Sequence, residues 1–180
     1  MTMQQRTTFA AALLILPMLT VLAMPASAQG NTQISGTAIG DTSGECPGAP
    51  MGGFTDFTIV LEGDLLGCLY TEIGSGKFTP GNGYEERGRE VIEACLDLNG
   101  NGMPDGAEPC GTFETTYHFT SKWEGEPFAS PQINGRCQHP IVWGSGTDDF
   151  TGASGRLDFK DDVAEGDFDW KGHIKLADGI

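Results

Sequence analysis

Residues 111–124 alternate without a break. Phe113, Thr115, Tyr117, Phe119, Ser121 and Trp123 fall on one side, and Thr112, Glu114, Thr116, His118, Thr120 and Lys122 on the other. Successive side chains of an extended chain point to opposite faces, so this period of two commits the segment to a strand with one largely aromatic face and one wet face. The same rhythm places Phe57, Ile59 and Leu61 on one face, followed by Glu62-Gly63-Asp64 as a turn and residues 65–73 as the return strand of a hairpin. Strands are also expected at 133–143, 155–161 and 167–176; in the last, Phe168, Trp170, Ile174 and Leu176 alternate with Asp169, Lys171, His173 and Lys175.

Residues 32–39 form a candidate first strand, followed by a Gly- and Pro-rich loop over 40–53. Residues 84–95 fit either a strand or a short helix, since EERGREVIEA contains good helix formers; among so many strands, the strand is preferred. About eight short strands joined by Gly, Asn, Asp or Pro connections, without a long amphipathic helix, predict an all-β fold. A single antiparallel barrel is expected, with a sandwich as the alternative, because closure removes unpaired edges.

At 180 residues, one domain is the natural size. The formal charge of −15, with 10 Lys plus Arg against 25 Asp plus Glu, leaves no basic stripe for a phosphate backbone, which excludes nucleic acid as a partner. It favours solubility or attraction for a cation.

Arg6, the apolar run 10–23 and Ala26-Ser27-Ala28 have the order of a secretory signal peptide, predicted to be cleaved after Ala28. The expected organisation is a signal peptide over 1–28, a flexible N-terminal segment with the candidate strand over 29–54, and the barrel over 55–180. The mature product is expected free of the membrane, in the periplasm or the medium.

Five cysteines in an oxidising compartment are expected to pair rather than to bind metal, with one left over. The expected bridges are Cys95 to Cys110 and Cys68 to Cys137, with Cys46 unpaired in its loop. Cys137-Gln138-His139 is accordingly read as a disulfide cysteine beside a surface histidine.

The most specific chemical pattern is Asp97-Leu98-Asn99-Gly100-Asn101-Gly102-Met103-Pro104-Asp105-Gly106-Ala107-Glu108, which fits D-x-[DN]-x-[DN]-G-x5-E. A structural Ca²⁺ would take oxygens from Asp97, Asn99, Asn101, the Met103 carbonyl, Asp105 and Glu108, with Gly102 making the sharp turn. Pro109-Cys110 and a strand follow, so the loop is an insertion between strands bracketed by Cys95 and Cys110, and not an EF-hand. The alternative is a pair of Asn-Gly turns with solvated acids.

Gly146-Thr147-Asp148-Asp149-Phe150-Thr151-Gly152-Ala153-Ser154-Gly155-Arg156-Leu157 resembles the G-x-G-x-F-x-G-A-x-G segment of the allene oxide cyclase and dirigent barrel superfamily. Together with Gly135-Arg136-Cys137-Gln138-His139-Pro140 and Asp158-Phe159-Lys160-Asp161-Asp162, it is similar to secreted bacterial members. Asp148 stands where the second glycine of the pattern would be, and Phe150 is expected to plug the core. The resemblance covers residues 55–176. It implies an eight-stranded antiparallel barrel whose interior, in the enzymes, steers the cyclisation of a reactive hydrophobic substrate.

Phe113, Tyr117, Phe119, Trp123, Phe168 and Trp170 are the candidates to line a pocket for a small hydrophobic molecule, against the alternative that they only fill the core. No nucleophile elbow, P-loop or dinucleotide fingerprint is present. His118 and His173 sit on polar faces, and no catalytic residue is assigned. Three functions stay open: a barrel that binds a hydrophobic ligand or serves as a non-catalytic module, a cyclase or isomerase working inside the barrel, and an acidic module meeting a cationic partner.

Overall fold

A computed structural model describes residues 31–177, so the segment 1–28, expected to be a signal peptide, lies outside the described residues. Among the described residues the chain forms eight strands: β1 (Thr32–Gly40), β2 (Phe57–Gly63), β3 (Leu65–Thr79), β4 (Gly83–Leu96), β5 (Cys110–Trp123), β6 (Gln132–Pro140), β7 (Ser154–Asp162) and β8 (Asp167–Lys175). Each pairs antiparallel with its sequence neighbour, and β1 pairs with β8 to close the barrel. The alternation seen in the sequence is what permits closure, because one face of every strand can turn to a shared interior.

The candidate first strand is a full member of this barrel. Thr32 to Ala38 run opposite Ile174 to Phe168, so the barrel begins at β1 and not at residue 55. Gly36 makes the closure close-fitting: a Cβ there would stand 1.8 Å from the Glu62 carbonyl oxygen and 2.7 Å from the Trp170 ring. Residues 84–95 are strand as preferred, because β4 is flanked on both sides and its ladders outweigh local helix propensity.

The segment 40–54, largely exposed, is anchored at three points. Asp41 accepts backbone N–H groups of Gly44, Glu45 and Cys46, Cys46 is bridged to Cys68, and Phe54 is buried with Tyr70 and Val91 on the outside of β3 and β4. The Arg89 guanidinium lies 5.4 Å from the centre of the Phe54 ring.

That arrangement corrects the expected disulfides. Cys95–Cys110 forms as expected, but Cys68 bonds Cys46, leaving Cys137 as the free thiol. The reason is strand parity. Leu65, Leu69 and Thr71 of β3 are buried, with Leu65 and Leu69 in the barrel core, so Cys68 faces out; Cys137 belongs to that core. The barrel wall separates them.

The core fills the half of the barrel near the β2–β3 and β4–β5 connections with Leu65, Leu69, Leu96, Phe113, Leu157 and Ile174. Phe150, fully buried, stacks edge-on against Phe113 at 5.1 Å, as its place in the glycine-rich segment predicts. Asp148 carries a φ of +49°, a left-handed geometry that Asp tolerates better than most residue types.

Candidate functional site

The other half of the barrel is hollow. A cavity of about 210 Å³ opens inside the wall, lined by Phe57, Ile59, Tyr117, Phe119, Phe159 and Phe168. Tyr84 and Phe128 stand at its mouth, and Glu86, Glu90, Cys137 and His139 supply its polar lining. Phe128 sits in the β5–β6 connection, with a φ of +66°, and packs against both Tyr84 and Trp123.

Three of the six predicted aromatics, Tyr117, Phe119 and Phe168, reach this lining. Phe113 and Trp170 are core residues instead; the Trp170 indole N–H donates to the Thr37 carbonyl at 2.9 Å. Trp123 lies beyond the cavity against Phe128, its indole N–H donating to Ser121 Oγ at 3.0 Å.

The polar residues form two groups. Deep in the wall, Glu90 is 2% exposed and His139 3%. Glu90 Oε2 accepts a hydrogen bond from Thr115 Oγ1 at 2.7 Å and meets His139 Nδ1 at 2.5 Å. That contact places a proton between His139 Nδ1 and Glu90 Oε2. His139 Nε2, on the far side of the ring, is buried without a partner. Nearer the mouth, Glu86 accepts from both phenols: Tyr117 Oη donates to Oε1 at 2.7 Å and Tyr84 Oη to Oε2 at 2.8 Å.

Both phenols stay protonated, and so stay donors, at any physiological pH. Burial and the hydrogen bond to Glu86 push the Tyr84 hydroxyl up to about 12, and burial followed by Glu86 raises Tyr117 further still. The Cys137 thiol is likewise raised, by burial first and then by the charges of Glu90, Glu86 and Asp161. A thiol held neutral in an apolar wall is a poor nucleophile.

His139 therefore contradicts its reading as a surface histidine beside a bridged cysteine: it lies on the inner face of β6, two residues from Cys137, where strand parity buries both. Glu86 and Glu90 went unassigned, although Glu86, Gly88, Glu90, Ile92 and Ala94 share one face once residues 84–95 are taken as strand. His118 and His173 lie on the opposite, outer faces of their strands, as expected.

In the 97–108 loop, Asp97 and Glu108 are both buried and turned onto the loop's own amides. Asp97 accepts N–H groups of Gly100, Asn101 and Gly102, and Glu108 those of Leu98, Asn99 and Asp105. Asn99 Nδ2 donates to Asp105 Oδ2 at 2.9 Å. Among the described residues no group of three or more His, Cys, Asp or Glu side chains is placed to hold a metal ion. A carboxylate offers about four lone-pair sites, so three amide contacts leave each of these acids acceptor capacity for a cation. The donor set is thus of the right chemistry for Ca²⁺, though its side chains are gathered on amides.

Comparison with family models, curated proteins and solved structures gives no match for this chain.

Proposed function

We propose that the protein is an exported carrier or binding module that holds one small, largely apolar molecule inside its barrel. The observation that carries this reading is the hollow half-barrel itself: aromatic walls around about 210 Å³, with a few polar atoms converging on it. Binding sites for small molecules have this make-up, an apolar lining with a small number of placed polar groups. The volume exceeds the roughly 150 Å³ that takes up benzene in an engineered apolar cavity. Two disulfides among the described residues are consistent with an extracellular or periplasmic setting.

The test is a titration followed by NMR, using small aromatic probes that differ in head group. Saturable shifts confined to residues such as Ile59, His139 and Phe159, lost when Phe119→Trp fills the space, are expected. No saturable shift from any probe would overturn the reading.

The buried Glu90–His139 pair favours a second reading, a cyclase or isomerase of the allene oxide cyclase type. A carboxylate and an imidazole held at hydrogen-bond distance beside an apolar cavity can hold or move a proton on a bound substrate. Turnover of a hydrophobic substrate that Glu90→Gln abolishes while binding persists would establish it; binding without turnover leaves the carrier.

For the 97–108 loop we propose one structural Ca²⁺. Its support is the complete D-x-[DN]-x-[DN]-G-x5-E spacing and a loop already closed by Cys95–Cys110.

A further inference from the structure

The hydrogen-bonding capacity of the cavity is one-sided. Every O–H and N–H donor on its lining side chains that the two carboxylates can use is already spent on them: Tyr84 and Tyr117 on Glu86, and His139 Nδ1, with Thr115 behind it, on Glu90. What remains is acceptor. Each Glu86 oxygen takes one phenol and keeps a lone pair. Among the described residues no lysine or arginine lines the cavity, so two carboxylates face it without a fixed cation beside them.

An occupant bearing a carboxylate would meet like charge with no donor to receive it. One with a carbonyl or ether oxygen would leave these acceptors facing another acceptor. A donor, above all a charged one, satisfies them. The aromatic walls add to this, because the faces of Tyr and Phe rings attract an ammonium group. The chain as a whole, at −15, draws cations toward the barrel mouth.

We propose that the molecule held in the barrel is a small hydrophobic amine, bound as its ammonium ion with the charged head at Glu86 and its apolar body along Phe119 and Phe159. This rests on the cavity being a binding site, and it goes further by fixing the chemical class of the ligand. It makes Glu86 the residue that sets specificity.

The experiment compares three probes of one shape and different head: 2-phenylethylamine, 2-phenylethanol and phenylacetate, by calorimetry and by NMR on the intact mature protein. The amine is expected to bind about tenfold more tightly than the alcohol, the increment a desolvated ion contact gives, and phenylacetate not at all. Glu86→Gln keeps an acceptor oxygen for one phenol and turns its amide N–H₂ to the oxygen of the other, and should lower affinity for the amine about tenfold, well beyond its effect on the alcohol. If the alcohol or the acid binds as tightly as the amine, or if the amine is indifferent to Glu86→Gln, the assignment of an amine is overturned while the binding site stands. If none of the three binds, the binding site and the amine fall together.

Discussion

Glu90 occupies a place that a carboxylate tolerates only with partners, since an unpaired buried charge is far costlier than a buried pair. Thr115 and His139 are those partners, and substitutions should rank accordingly. Thr115→Val removes one donor to the carboxylate and is expected to destabilise the fold by about 1–3 kcal/mol. His139→Phe strands the carboxylate and should cost about 3–5 kcal/mol. Urea unfolding with unchanged slope reads both; a His139→Phe variant as stable as the parent would mean that Glu90 is not held as described. Little of this pair was legible in the sequence. Glu90 sits among helix formers, and His139 follows a cysteine that seemed destined for a disulfide. Only the inward parity of two strands far apart in sequence brings them together. Cys137 follows the same logic: parity makes it an inner-wall thiol, so a thiol reagent should find none accessible in the native protein and one after denaturation.

At the scale of elements, the two acidic loops are held by carboxylates that cap runs of amides. Asp97 is lowered from its ordinary value, chiefly by the Gly102 amide and then by Gly100 and Asn101, with burial opposing. Asp41 is lowered by the Cys46 amide first, again against burial. A carboxylate whose folded value lies below its unfolded value, about 3.8, contributes stability fully above that value and loses it as pH falls through the folded one. Melting temperature should therefore drop as pH falls below about 4, and Asp97→Asn should flatten part of that drop; an identical acid profile in the variant would remove Asp97 from the account. Calcium is tested on the same loop. Excess Ca²⁺ should raise the melting midpoint relative to chelator, because a ligand of the native state must stabilise it, and equal midpoints would rule the ion out. Element spans were largely readable, because alternation and turn residues are local signals. The long β3–β4 hairpin was undercounted, since residues 74–79 lack alternating apolar side chains and owe their pairing to β4. The place of β1 depended on β8, more than a hundred residues away, which no local pattern encodes.

On the scale of the whole molecule, closure was predictable from the count of strands and the need to cover edges. The hollow was not. Whether an interior is packed or open depends on how the side chains of all eight strands sum, and here one half receives branched aliphatics and Phe150 while the other receives rings that stand against the wall. The central claim is therefore an open space of defined position. Its most direct measurement is the anomalous scattering of crystals pressurised with xenon, which enters apolar cavities of this size. The account predicts a peak inside the barrel between Ile59, Phe119 and Phe159; side chains collapsed across that space, with no peak within the wall, would contradict it.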